Sequence, residues 1–226
     1  MKGFFLFWLL TMLLGNPLLA LIVLLVAFWL LDRSTWRILP DPRVLFHRHN
    51  RQKRCERDIA VNPGDVDARL ELAKIYLDRG RPKEALAQLA SARPRLEGVA
   101  EADFVEGLAH LRAGDPAAAI EPLGRSLKLD PGLHAHEALL RLAEARAASG
   151  DRAGAGEAFD RFLAEHPSSV EGRVLAARQR LAAGDRASAR VHLDAALESH
   201  KGAPRFRRRL DRRWAWRARA MLRRVA

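Results

Sequence analysis

The histidines and the single cysteine are where this sequence could do chemistry. His47 and His49 form one His-x-His pair, and His134 and His136 form another. Imidazole is a common ligand for divalent metals. On a helix, however, residues two apart point to different faces, so neither pair makes a good metal site. Cys55 lies among Lys53, Arg54 and Arg57, cations that lower a thiol pKa and favour the thiolate. No histidine or aspartate pattern around it completes a catalytic set. The chain carries no phosphate loop, nucleophile elbow or His-Glu-x-x-His run. One cysteine excludes both an intrachain disulfide and a zinc site built from several thiolates. These residues point away from catalysis, and no metal, cofactor or small-molecule substrate is expected.

The other chemistry is charge. The 226 residues carry a net charge of +12, unevenly spread. Residues 59–200 hold nineteen basic and twenty-two acidic side chains, whereas residues 201–226 hold eleven basic and one acidic, Asp211. In that tail Arg207, Arg208, Arg209, Arg212, Arg213 and Arg217 surround Trp214 and Trp216. Arginine interleaved with tryptophan can meet anionic lipid headgroups, worth about 1 kcal/mol per nearby cation. It can also meet nucleic-acid phosphates, or simply form the solvated face of a helix. Because the chain has a candidate membrane segment of its own, Arg207, Arg208, Arg209, Arg212, Arg213, Trp216 and Arg217 are taken as lipid- or anion-binding candidates, and nucleic acid is not expected.

That membrane segment is residues 1–36. Residues 3–31 form a run of 29 without a charge. As one helix it would be about 43 Å long, against about 30 Å of bilayer hydrocarbon. Gly15-Asn16-Pro17 interrupts it, since Asn caps helix starts and Pro suits the first helical turn. Two arrangements stay open: a single kinked transmembrane span, or a shallow hairpin of 3–14 and 18–31. A secretory signal fits less well, because its apolar stretch is only about 7–15 residues. Trp8, Trp29 and Trp36 lie near interface depths. Arg33, Arg37 and Arg43 follow the run while only Lys2 precedes it, so the positive-inside rule puts the rest of the chain in the cytoplasm. Richness in arginine and alanine points to a GC-rich bacterial genome, and so to a bacterial inner membrane.

The elements behind these segments repeat. Gly80, Gly114, Gly150 and Gly184 recur at spacings of 34, 36 and 34. Each is followed five residues later by alanine: Ala85, Ala119, Ala155, Ala189. Seven residues before each stands a small residue: Ala73, Gly107, Ala143, Ala177. Four residues after each alanine stands a large apolar one: Leu89, Leu123, Phe159, Leu193. The pattern reads as helix, glycine turn and antiparallel helix, with small residues at the close approach. One such pair cannot bury its apolar face alone, so pairs stack into a solenoid. Leu72-Ala73-x-x-Tyr76, Gly107, Ala119 and the Pro131 and Pro167 positions resemble the tetratricopeptide repeat family. The resemblance covers residues 63–202 in four copies. The family's tryptophan is absent, Phe162 stands where other copies have Ala92, Ser126 and Ala196, and two extra residues fall around Gly132–His136. Residues 37–62 read as a basic linker helix or N-terminal half-repeat. Residues 203–226 read as a basic capping helix with an apolar stripe of Phe206, Leu210, Trp214, Ala218, Met221, Leu222 and Val225.

The resemblance implies a concave groove lined by the first helix of each repeat. Its candidate peptide contacts are Asp67, Leu70 and Lys74; Glu101, Phe104 and Leu108; Glu137, Leu140 and Glu144; Glu171, Val174 and Arg178. One column, Asp67, Glu101, Glu137 and Glu171, is wholly acidic. It suits a basic or amphipathic peptide, or else it only complements the dipoles of the helix starts, as Ser168 with Glu171 does in a capping-box pattern. The apolar column Leu70, Phe104, Leu140 and Val174 is the better peptide contact. Apolar residues replace the family's Lys/Asn carboxylate clamp, so acidic chaperone tails are not expected partners.

The expected fold is therefore all-α. A transmembrane or hairpin segment precedes an α-solenoid of about four helix pairs, and a C-terminal helix caps it. The expected function is a membrane-anchored, non-catalytic scaffold that binds peptide segments of membrane-associated proteins, with lipid contact and with self-association left open. Two alternatives stand beside it: a membrane-shaping protein acting on lipid, and nucleic-acid tethering by the tail.

Overall fold

Leucine and alanine at helical spacing, punctuated by Gly-Asp turns, fold as helix pairs. The computed structural model describes residues 2–35, 42–134 and 136–225, with side chains given for 7–26, 50–134 and 136–225. Among the described residues there are twelve α-helices, one 3₁₀ turn and no strand. The chain divides into two units, Met1–Lys53 and Arg54–Ala226.

In the first unit, α1 (Lys2–Leu14) and α2 (Pro17–Thr35) flank Gly15-Asn16. Gly15 adopts φ +64°, and the Asn16 carboxamide oxygen accepts the Leu18 amide at 2.9 Å, capping α2. The break makes two arms, and α1 packs against α2, burying the small Ala20 completely. Among the described residues no helix is long and apolar enough to cross a membrane. Trp8 is exposed; the side chain of Trp29, residue Trp36, and the side chains of His47 and His49 lie outside the described residues.

α3 (Pro42–Val61) runs across the boundary between the units. Its C-terminal half packs Cys55 and Ile59 on Leu72, Ile75 and Tyr76. The thiol is buried among apolar side chains, a setting that makes cysteine inert rather than reactive. Four antiparallel pairs follow: α4 (Val66–Asp78) with α5 (Pro82–Ala92), α6 (Ala100–Ala113) with α7 (Pro116–Leu129), α8 (Glu137–Ser149) with α9 (Arg152–Glu165), and α10 (Val170–Ala182) with α11 (Arg186–Gly202). All four repeat glycines take positive φ, between +69° and +96°, the conformation that lets a chain leave one helix and start the next. Asp115, Asp151 and Asp185 follow three of them and accept the amides of Ala118, Gly154 and Ser188 at 3.1, 2.9 and 3.0 Å. α10 is capped by Ser169, which accepts the Gly172 amide at 3.1 Å. The cap is thus one residue later than the Ser168 that the capping-box pattern suggested.

The small and large columns meet in the core. Ala85, Ala119, Ala155 and Ala189 are fully buried, as are Leu123 and Leu193. Gly107 marks the closest approach between α6 and α7, since a Cβ there would lie 2.4 Å from Leu123 Cγ. α12 (Arg205–Val225) packs on α10 and α11 through Trp214, Ala218, Met221, Leu222 and Val225. The apolar stripe proposed for this helix is only partly buried: Phe206 and Leu210 are 68% and 72% exposed. Among the described residues the core reaches this helix only from Trp214 onward, and the first two turns leave Phe206 and Leu210 open to solvent.

On α11, burial holds the half-buried His192 imidazole below its usual pKa, with Arg173 and Arg180 acting the same way against Asp160 and Asp185. The unfolded chain therefore binds this proton more readily than the folded one. Its contribution to stability is whole above the ordinary histidine pKa and is lost as pH falls through it. Urea unfolding at pH 7.5 and 5.5 will show a smaller loss of stability in His192→Gln than in the parent.

Candidate binding cleft

The first helix of each pair, α4, α6, α8 and α10, supplies the predicted groove positions, and α12 lies beyond α10. Together α6, α8, α10 and α12 enclose a cleft of about 610 Å³. Its wall has apolar surface from Leu108, Leu111 and Trp214, and it holds five arginines against three glutamates.

Arg141 lines it with a side chain only 16% exposed. Its guanidinium reaches Glu171 at 2.6 Å, Glu144 at 2.9 Å and Glu137 at 3.3 Å. Burial works to lower the Arg141 pKa, but the charge and hydrogen bond of Glu171, then Glu137 and Glu144, outweigh it and raise the pKa above the ordinary value. Arg178 reaches Glu144 at 3.3 Å. The acidic column is thus largely neutralised from within. Glu137 and Glu171 share Arg141, and Glu101 meets Lys74 at 3.6 Å and His134 at 2.7 Å. Asp67, Glu101, Glu137 and Glu171 all sit in first helical turns, where carboxylates complement the dipole. Asp67 is exposed on α4.

The apolar column divides. Phe104, Leu140 and Val174 are buried in the two main core clusters, so these predicted peptide contacts hold helices together instead. Leu70 is only partly buried, and none of the four apolar-column residues lines the cleft; Leu108, a groove candidate outside that column, is partly buried and does.

Sequence reasoning names Arg213 and Arg217 as lipid- or anion-binding candidates but does not bring α12 to the cleft. Arg217 and Arg213 lie over the Trp214 indole, 4.6 and 5.4 Å from the ring centroid, and among the described residues neither pairs with a carboxylate. All three line the cleft. The available signal was spacing: Arg217 is a one-turn neighbour of both Arg213 (i,i+4) and Trp214 (i,i+3). Arg207, Arg208, Arg209 and Arg212 are exposed on the same helix, and Arg207 approaches Asp211 at 3.7 Å. Trp216 is 69% exposed.

A second polar cluster lies between α5, α6 and α7. There the buried Asp103 meets Arg125 at 3.0 Å and Arg93 at 3.4 Å, and Glu106 meets the same two arginines. Its donors and acceptors satisfy one another, which is what a buried carboxylate requires. The His134 and His136 side chains part company, but in the turn ahead of α8 rather than on a helix, with both backbones left-handed. His134 turns to Glu101, and His136 turns to His166 and Glu165.

Residues 53–102 and 104–170 each match a tetratricopeptide repeat family model. No curated protein matches the sequence. Among solved structures, MamA is similar at 23% identity and TM-score 0.62, over 73% of this chain and 97% of that one. YrrB, described as a TPR protein with an unusual peptide-binding site, is similar at 16% identity and TM-score 0.61, over 71% and 81%. PilW, a type IV pilus biogenesis factor, is similar at 18% identity and TM-score 0.61, over 79% and 88%. At these identities the likeness establishes a shared fold.

Proposed function

From a chain that carries tetratricopeptide repeats, we propose a non-catalytic scaffold that grips a segment of a partner protein in the cleft of α6, α8, α10 and α12. The cleft is the observation that carries this reading. Its glutamates are occupied by Arg141 and Arg178, while Arg213 and Arg217 face its space against Trp214. An acidic segment with a large apolar side chain matches that wall, its carboxylates meeting the two arginines and its apolar group meeting Leu108, Leu111 and the indole. This reverses the preference that the acidic column alone suggested. The peptide-binding site described for YrrB, which shares the fold, supports the general mode.

The uncharged run ahead of the repeats supports a membrane anchor, and the basic residues after it support a cytoplasmic solenoid at a bacterial inner membrane. Tethering raises the effective concentration of the cleft toward other membrane proteins without any new contact. The exposed Phe206, Leu210 and Trp216 among arginines favour a second reading, in which the start of α12 rests on anionic lipid.

Two binding measurements separate them. Short fluorescent peptides, acidic-aromatic and basic-aromatic, are titrated into the chain. The acidic peptide will bind at least about 10-fold more tightly, and Arg213→Glu with Arg217→Glu will reverse the order. A basic preference in the parent sinks the charge assignment, and no binding of either sinks the cleft. Capture of residues 54–226 by anionic vesicles that is lost in Phe206→Ser with Leu210→Ser, in place of peptide binding, establishes the lipid reading.

A further inference from the structure

We propose that His136, His166 and Glu165 form a clasp for one divalent late transition-metal ion at the open end of the third helix pair. α8 and α9 are joined at one end by the Gly150-Asp151 turn. At the other end His136 caps the start of α8 and His166 caps the end of α9. Thirty residues apart in sequence, the two rings meet there with centroids 5.1 Å apart and His136 Nδ1 3.0 Å from His166 Nε2. His136 takes a left-handed backbone, φ +65°, a conformation that costs energy in a non-glycine residue and is often kept where a side chain must be aimed.

Glu165 sets the protonation pattern. Its carboxylate lies 2.7 Å from His136 Nε2. A carboxylate only accepts, so the proton sits on Nε2 and Nδ1 keeps its lone pair, directed at His166. A proton on His166 Nε2 can bridge the two nitrogens along the line between them; a metal ion would replace that proton and lie to one side of the line, about 2.1 Å from each nitrogen. Two imidazole nitrogens, each about 2.1 Å from an ion, stand about 3.4 Å apart on a tetrahedral ion such as Zn²⁺ and about 3.0 Å apart on an octahedral one. The pair stands 3.0 Å apart, so a small rotation of the rings is enough for zinc. Ligand atoms of all three residues lie within 4.8 Å of one another. Glu165 can therefore either complete the set or hold His136 in place, as carboxylates commonly do for metal-bound histidines. His136 and Glu165 are partly exposed, which leaves positions for water. Two imidazoles favour Zn²⁺, Ni²⁺ or Co²⁺ over Mg²⁺ or Ca²⁺. A bound ion would fasten the start of α8 to the end of α9 and stabilise the folded state through its binding.

The test is Zn²⁺ titration of the full chain in detergent, free of any affinity tag, by calorimetry and thermal unfolding. The parent will bind Zn²⁺ and its Tm will rise. His136→Gln and His166→Gln will each bind at least about 20-fold more weakly and lose the Tm shift, and Glu165→Gln will bind about 10-fold more weakly. Zinc X-ray absorption of the parent will show two imidazole nitrogens at about 2.0–2.1 Å; it decides the matter even if a histidine variant does not fold. A parent that binds no Zn²⁺, histidine variants that bind it as the parent does, or an absorption spectrum without two imidazoles overturns the clasp and leaves a pair that shares a proton.

Discussion

Phe162→Ala will lower the stability of the solenoid by about 3–5 kcal/mol, the usual cost of removing a buried aromatic ring, and the effect will depend on residue 172. Phe162 is large where the equivalent positions of the first two pairs hold Ala92 and Ser126. It is accommodated because the next helix offers Gly172 where the equivalent positions hold Ala102 and Ala138. A Cβ at 172 would lie 2.6 Å from Phe162 Cε1 and 2.9 Å from its Cδ1. Gly172→Ala alone will therefore destabilise by about 1–3 kcal/mol through overpacking, although alanine favours a helix interior over glycine by about 1 kcal/mol. With Phe162→Ala present, the same change fills part of the cavity and keeps its helical advantage. The double variant will be more stable than Phe162→Ala. Denaturant midpoints of the four proteins measure this coupling. Additive losses would mean that the ring and the glycine are not a matched pair.

Arg141→Met will cost about 2–3 kcal/mol. Removing one partner of a buried ion pair typically costs about 3–5 kcal/mol, and the partial exposure of Glu137, Glu144 and Glu171 allows solvent to screen part of their repulsion. Methionine keeps much of the stem's packing, so the loss is mainly electrostatic. Urea unfolding of the variant will recover most of the loss when Glu137, Glu144 and Glu171 are also changed to Gln, and part of it in high salt. An equal loss in the glutamine background would assign the effect to packing. The same substitution bears on function. With Arg141 present the carboxylates of the inner helices are satisfied from within, and the field of the cleft falls to Arg112, Arg213 and Arg217.

Much of this architecture is legible in local pattern. The Gly-Asp turns at 114, 150 and 184 carry both the left-handed residue and the cap of the next helix, so chain reversal is written in neighbouring residues. The alternation of Ala73, Gly107, Ala143 and Ala177 with Leu89, Leu123, Phe159 and Leu193 specifies close helix pairs, because residue size and helical period alone decide which faces can touch. The break at Gly15-Asn16-Pro17 is readable for the same reason.

The site was less legible, because a groove is defined by what leaves it uncovered. Phe104, Leu140 and Val174 occupy groove positions in the repeat, yet neighbouring helices cover them and they are core. The acidic column looks available in sequence, but Arg141 sits one helical turn from Glu137 and reaches Glu171 across the next helix only once α8 and α10 are stacked. α12 could be recognised as an amphipathic helix; that its Arg213, Trp214 and Arg217 close the cleft depends on its docking against α10 and α11. Likewise nothing near His136 in sequence points to His166, because thirty residues of hairpin must fold back to bring the rings together. What the sequence by itself determined is the local content: helices, turns, caps and the size of each contact. What only the tertiary structure decided is which charges satisfy one another and which side chains stay open, since those depend on neighbours supplied by packing rather than by the chain's own order.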